Sequence, residues 1–434
     1  MTCAAAPKAG SKFRQVVRVA SGNFLEMYDF MVFGYFAGAI GTAYFPSGDA
    51  FGTLLKSLAT FGVGFLMRPL GALVLGAYTD RHGRRAGLLL TLGLMGLGII
   101  TLTVTPTYAV AGIIAPLLVL AGRLLQGFSA GAELGNVSVY LAELAPPRRK
   151  GFYVSWQSGS QQVAVIAAAL IGLALSSVLS SHQMAAWGWR VPLAIGCLVV
   201  PFLFLLRRQL RESEEFAQRG TKLTLRKIMS RLWHARGCVL AGMGLVLMTT
   251  VSFYMITAYT PTFGKLLHLP ERANLWVTAG VGASNLIWLP LMGALSDRIG
   301  RKPILIGCTI TAIVTGYPAL AWLAANPTTA KLVAVELWLS AVYASYNSAM
   351  VVYLTEIVPA EVRASGFSVA YSLATAIGGF TPFIATWLIA RTGNPAIPGA
   401  WLAAAASISL AALLVTKRDD AASRSGTDRK SLLA

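Results

Sequence analysis

A ten-residue string occurs twice, 217 positions apart, in a chain of 434 residues. The first copy runs Gly76-Ala77-Tyr78-Thr79-Asp80-Arg81-His82-Gly83-Arg84-Arg85. The second runs Gly293-Ala294-Leu295-Ser296-Asp297-Arg298-Ile299-Gly300-Arg301-Lys302. Each copy lies between two long apolar segments, and the offset is half the chain length. A charged loop repeated at half-length between apolar runs restricts the chain to a duplicated bundle. A second echo agrees with this. Glu143-Leu144-Ala145-Pro146, followed by basic residues and Gly151-Phe152, returns as Glu356-Ile357-Val358-Pro359, followed by Arg363 and Gly366-Phe367.

Only 12% of the residues are charged and 56% are hydrophobic, whereas a soluble domain carries roughly 25% charged residues. Too little charge remains to cover a water-facing surface, so the chain faces lipid. A membrane-spanning helix needs roughly 20 mostly apolar residues. Twelve segments qualify: 22–45, 55–78, 87–105, 112–141, 156–179, 190–206, 238–262, 273–295, 303–325, 331–355, 366–390 and 399–416. Backbone groups in lipid must bond within their own segment, so these runs are expected to be helices. The expected fold is an all-α membrane protein of twelve transmembrane helices in two six-helix pseudo-symmetric halves. The halves are 1–206 and 238–434, the second with a tail, joined by a polar linker at 207–237. Within the linker, Arg207 to Phe216 is expected to form a short helix.

The net charge of +19 would suggest nucleic acid in a soluble protein. Its placement argues otherwise. Of 36 Lys and Arg, 28 lie in the two termini and alternate loops (81–85, 148–150, 207–236, 298–302, 363). This is the positive-inside bias, and it places both termini and the linker in the cytoplasm. A basic surface there suits an anionic inner leaflet. The partners are therefore a lipid bilayer and a solute, not nucleic acid. Cys3, Cys197, Cys238 and Cys308 lack disulfide or metal spacing and read as packing residues. His82, His182, His234 and His268 lie near loops or span ends, and no metal site or cofactor is expected. No short apolar core with a small-residue cleavage site precedes the first span, so that span is read as retained. No phosphate-cradling loop with Lys and Ser or Thr appears, which argues against an ATP-driven pump, and no catalytic constellation appears, which argues against an enzyme.

The repeated loops have the chemistry of a gate. Gly76 and Gly293 would let two helices approach closely. Asp80 and Asp297 stand at helix ends beside Arg81 and Arg298, with Arg84 and Arg301 following, ready to pair across the interface between halves. The alternative is that these charges only fix topology. Charge inside the spans is more informative, because an ionised side chain at bilayer depth costs roughly 2.5–3.5 kcal/mol on insertion scales. Glu26 and Asp29 are i,i+3 on the first span and share a face. Arg68 precedes Pro69 in the second. Arg123, Gln126, Ala130 and Glu133 form one stripe on the fourth; Glu336, Ser340, Tyr343 and Asn347 form another on the tenth. An acid on the first span and an arginine on the fourth suit proton coupling. Asp29 would be ionised while paired with Arg123 and would take a proton when the pair opens. Glu26 and Glu133 are alternative carriers, and a static ion pair or a rim position for Glu26 are the plainer readings. Arg68 offers a planar fork to an anion, or else braces the motif loop. A polar run from Trp156 to Gln162, including Gln157 and Gln161, opens the fifth span; with Asn285, Tyr343, Tyr346 and Asn347 it could complete a cavity, or serve as glue between helices. The Gly378-Gly379-Phe380-Thr381-Pro382 stretch should interrupt the eleventh span.

The repeated loop resembles the cytoplasmic loop motif of the major facilitator superfamily. Gly22-Asn23-Phe24-Leu25-Glu26-Met27-Tyr28-Asp29-Phe30, Arg68-Pro69-Leu70-Gly71 and the run from Gly122 to Glu133 resemble the metabolite:proton symporter family within it. The runs 27–34, 45–51 and 153–158 look like its citrate–proton symporter branch, which also includes tricarballylate carriers. Nearly the whole chain is covered. The resemblance implies a proton symporter for a tricarboxylate in a bacterial inner membrane. It works by alternating access about a central site, and we expect a monomer. Asn23 and Asn136 have no counterpart expectation and are assigned no role. Alternatives are a symporter of the same family for a dicarboxylate, shikimate or a betaine, and, from another class, a membrane sensor without transport. A betaine would need an aromatic cage and would not favour nearby Arg68 and Arg123. The linker is too short for a signalling domain.

Overall fold

A computed structural model describes residues 9–416, except 83, 132, 147, 209–224 and 360–362. Inside helices, the side chains of Asp80, Arg81, Arg84, Arg85 and Asn136 also lie outside the description. Ten helical segments are long and apolar enough to cross a membrane: Ala50–Thr79, Ala86–Val104, Ile114–Leu144, Lys150–Val178, Met184–Leu205, Arg236–Ile256, Glu271–Ile299, Arg301–Ala325, Ser365–Thr392 and Ile397–Val415. Two further helices complete the expected twelve: the first span, Ala9–Tyr35 continued by Ala37–Tyr44, and the tenth, Thr329–Ile357. The tenth span is less apolar because it needs no lipid face along much of its length. From Val342 to Thr355 every residue is buried, including Ser345, Asn347 and Ser348.

The first helix begins well before the apolar segment that announced it, at Ala9 rather than near position 22. Helical hydrogen bonding propagates past the lipid boundary once a long span is in place. Several spans break, each at a readable cause. The second stops at Leu66 and restarts at Arg68, followed by Pro69. The eleventh breaks at Gly379 and Phe380 before Pro382, where the sequence announced it. The seventh ends at Ile256 and resumes as the short helix Thr260–Leu266, with Pro261 in its first turn. The linker helix expected at 207–216 falls largely outside the described residues. The described part of the linker holds a ten-residue helix at Leu225–His234.

Two contacts between spans position the interior. The second and fourth spans pack backbone to backbone: Gly71 faces the Phe128 carbonyl, Gly127 the Gly64 carbonyl and Gly131 the Arg68 carbonyl. No Cβ fits at these approaches. The expected close-approach residue in the first loop copy, Gly76, faces open space, so Gly71 takes that part five residues earlier. In the second copy Gly293 does make the approach. A Cβ there would sit 2.5 Å from the Gly151 carbonyl on the fifth span. Gly300 in the same copy turns the chain at φ 92°, a left-handed conformation that favours glycine. The fifth and eighth spans run together along the interface between halves, and the second meets the eleventh, with Phe65 lying on Gly379.

Gly71→Ala should lower the thermal unfolding midpoint in detergent, by a cost of about 1–3 kcal/mol for forcing apart well-packed backbones. Gly76→Ala should leave it unchanged. Equal midpoints for the two variants would show that this approach carries no packing energy.

Candidate functional site

The first span is helical through its apolar core, so Glu26, Asp29, Phe30 and Phe33 fall on one face. All four are buried. Glu26 Oε1 lies 2.8 Å from Arg68 Nη2, with each side chain 1% exposed. Asp29 Oδ2 lies 3.0 Å from Arg123 Nη1. Two acids one turn apart thus clasp two arginines brought in by the second and fourth spans. Arg123 Nη1 also donates to Gln126 Oε1 at 2.7 Å. Aromatic rings fill the space between the cations. Arg68 lies 5.1 Å from the Phe30 ring centre and 4.7 Å from that of Phe65; Arg123 lies 3.8 Å from Phe33 and 5.4 Å from Phe30. The Phe30 ring is shared by both guanidiniums, which it screens from water while offering its negative face.

A buried ion pair holds only if Coulomb attraction and extra hydrogen bonds offset the loss of hydration. Here the offset is incomplete. Among the described residues Arg68 Nε, Arg123 Nε, Arg123 Nη2 and Asp29 Oδ1 have no hydrogen-bond partner. The three guanidinium nitrogens are unused donors beside held carboxylates, the arrangement in which an incoming anion can compete for the cations.

A cavity opens beside Arg68, between the halves. Its wall includes Arg68 and Gln161 from one half, and Thr250, Tyr254 and Tyr371 from the other. In this conformation it has room for little more than a single water. A polar seam runs alongside. Asn347 Nδ2 donates to Ser158 Oγ at 2.8 Å, and Ser158 in turn to Gln157 Oε1 at 2.9 Å. Asn285 Nδ2 donates to Gln162 Oε1 at 3.1 Å and accepts from Ser340 Oγ at 2.8 Å. The sequence-selected Gln157, Asn285 and Asn347 therefore fall in two short chains of bonds, each crossing between the halves. Gln161 lines the cavity and reaches Asn23 Oδ1 at 3.4 Å. Tyr343 packs its ring 5.8 Å from Phe253. Glu133 is buried in the first turn of Glu133–Leu144, just past the interruption of the fourth span.

Sequence reasoning missed the Glu26–Arg68 pair, the phenylalanines between the arginines, and Asn23. Asn23 is fully buried and donates to the Gln157 carbonyl at 2.9 Å, joining the first span to the fifth. A signal for the first of these was present: a deep arginine needs an acid, and Glu26 shared a face with one already assigned.

At the motif end, Asp297 and its neighbour Arg298 have different surroundings. Arg298 is exposed. Asp297 instead accepts from the amides of Gly151 at 2.9 Å and Phe152 at 3.2 Å, and from Arg301 Nη2 at 2.7 Å. Those amides open the helix of the fifth span, where N–H groups have no intrahelical partner and the helix dipole favours an anion. Arg301 lies a further 3.7 Å from Glu356 at the end of the tenth span. Asp297 thus latches the two halves through backbone, which no loop motif can announce. In the first copy, Asp80, Arg81 and Arg84 lie outside the described side chains.

Residues 15–416 match the sugar (and other) transporter family. The chain belongs to that family. It is a transporter of the major facilitator type and not an enzyme. The chain is 53% identical over 409 residues to the citrate-proton symporter of Klebsiella pneumoniae, covering 94% of this chain and 92% of that protein. It is 52% identical to the citrate-proton symporter of Salmonella typhi, covering 94% of each. A partially occluded inward-open conformation of the xylose transporter XylE from E. coli superposes with a TM-score of 0.74. That match covers 94% of this chain and 97% of that one at 18% identity, and it shows the fold.

Asp297→Asn removes the charge from a bond to two amides and an arginine, worth about 1.5–3 kcal/mol. A cysteine placed at buried Ser155, one turn inside the latch, should then react with a thiol reagent about tenfold faster or more. An unchanged rate would leave the loop with a topological role alone.

Proposed function

We propose that the chain is a proton-coupled symporter of a tricarboxylate, citrate or tricarballylate, working by alternating access. The observation that carries this reading is the pair of buried arginines, Arg68 at the cavity wall and Arg123 behind the shared Phe30 ring, each held by a first-span carboxylate and each with a donor to spare. The names of the two relatives above support the substrate.

The chemistry runs as an exchange of partners. A tricarboxylate entering the cavity brings up to three negative charges, and burying them without partners is prohibitive. One carboxylate takes the fork of Arg68, displacing Glu26; Arg123 shifts from Asp29 in the same way. A first-span carboxylate left in a dry site without its cation takes up a proton. Substrate and proton then share the occluded state, and neither is held well alone. Citrate is carried partly neutralised by those protons or by a divalent metal. The polar seam at Gln157, Asn285 and Asn347 exchanges its bonds with the substrate's hydroxyl and remaining carboxylates. The moving bodies are residues 1–206 and 238–434, joined by 207–237. One chain supplies both walls, so the working unit is a monomer. The bacterial relatives support a bacterial inner membrane, and the charge bias supports both termini in the cytoplasm. The Asp297 latch, and Asp80 with Arg81 and Arg84 in the other copy, then close the cytoplasmic side.

Uptake of labelled citrate into vesicles, with pH and sodium gradients imposed separately, tests the reading; uptake driven by sodium alone would contradict it. Asp29→Asn should abolish accumulation against a gradient while exchange of labelled for unlabelled citrate persists. Normal proton-driven accumulation in that variant would remove Asp29 from the coupling. Arg68→Lys keeps the charge but loses the fork, and the apparent Km should rise about tenfold, the worth of one charge-assisted hydrogen bond. Tricarballylate should compete with citrate and shikimate should not; the reverse would sink the tricarboxylate assignment.

A further inference from the structure

Glu336 takes no part in the exchange above. It lies in the tenth span, near the end opposite the motif loops, and is 4% exposed. Its Oε1 accepts from the Thr260 hydroxyl at 3.0 Å, and its Oε2 has no hydrogen-bond partner among the described residues. Unlike Glu26 and Asp29, it is held by no arginine. The titratable groups on the surrounding elements are turned elsewhere. Tyr259 accepts from Thr386 at 3.1 Å. Lys265 and Glu271 are exposed, and Arg272 donates to the Ser176 carbonyl at 2.7 Å. Tyr317 on the ninth span accepts from Asn394. On its own helix, Lys331 lies over the Trp322 ring at 4.9 Å, and Tyr343 packs on Phe253. A carboxylate buried without a cation costs several kcal/mol, whereas a neutral acid beside one hydroxyl does not.

The partner residue explains what this acid is for. Thr260 opens the short helix that follows the break in the seventh span. That break also seals the halves at this end, where a Cβ built on Gly34 of the first span would meet Ala258 at 3.3 Å. An opening there separates Ala258 from Gly34 and lets water reach the Thr260–Glu336 bond, where it competes with the hydroxyl for the carboxylate. Closure buries it again. With Glu336 protonated, the acid hydrogen serves the Thr260 oxygen, and the Thr260 hydroxyl turns to the Met255 carbonyl, 3.4 Å away. We propose that Glu336 is a second proton-carrying carboxyl. It is loaded from the end opposite the motif loops and locked by Thr260 when that end seals. The step is a simple protonation: the proton enters from water at the end opposite the motif loops and leaves to water on the other side once the motif-loop end opens. Its direction of coupling rests on the symporter reading; the existence of a titrating carboxyl does not.

Two measurements on reconstituted full-length protein test this. In infrared difference spectra between acid and alkaline pH, the wild type should show a protonated-carboxyl band that is missing from Glu336→Gln. At static head under a pH gradient of one unit, citrate accumulation in Glu336→Gln should fall about tenfold relative to wild type, the loss of one coupled proton. This equilibrium ratio does not depend on the transport rate. An unchanged band and an unchanged ratio would overturn the proposal. If Glu336→Gln does not fold, Thr260→Val carries the test: the band should remain and its titration midpoint should move, and an unmoved midpoint overturns the lock. If the wild type carries no citrate, the symporter reading fails while the infrared result still decides whether Glu336 titrates.

Discussion

Two carboxylates on adjacent turns of one helix hold two guanidiniums out of water, and the rest of the bundle is arranged around that constraint. The Glu26–Arg68 and Asp29–Arg123 pairs require three spans to meet at one depth. The glycine approaches of the second span to the fourth set the two arginines at the right separation. Phe30 and its neighbours then exclude water from both pairs. A buried pair is a poor source of stability, since matched apolar residues often do as well. It is a good switch, because removing one partner leaves the other expensive to keep charged. In the proposed exchange, that property is what makes an incoming anion and a proton depend on each other.

The second half contributes differently. It offers hydroxyls and aromatic rings to the cavity, and its latch to the first half is a carboxylate on helix-start amides. Coupling between the halves is carried by the polar seam at Ser158, Gln162, Asn285 and Asn347. Each of these bonds crosses a surface that must slide or part during alternating access. They are neutral and modest, about 1 kcal/mol each, which suits contacts that have to break and re-form.

Much of this was legible in the sequence. Repetition at half-length and apolar run lengths gave twelve spans in two halves, because lipid imposes the same requirement on every segment. Deep charges were legible too, since Asp29, Arg68 and Arg123 stand out against their surroundings. Pairing was not. Helical periodicity puts Glu26 and Asp29 on one face but does not say which arginine meets which acid; that depends on the backbone separation set by Gly71 and Gly127. Phe30, Phe33 and Phe65 read as ordinary lipid-span residues, because nothing local tells a ring against a guanidinium from a ring against a lipid tail. Within the repeated loops, identical chemistry hid different geometry. Gly293 approaches a helix and Gly76 does not, and Arg301, not Arg298, reaches Asp297.

The central claim is that substrate and proton bind to linked groups. It is tested most directly by proton uptake on citrate binding to the purified protein. The measurement uses weakly buffered detergent solution and an indicator dye, at a pH where free citrate is fully ionised. The account predicts that binding takes up protons, and that the uptake shrinks when Asp29→Asn removes one acceptor. Tight citrate binding with no proton uptake, and with an affinity independent of pH, would contradict it.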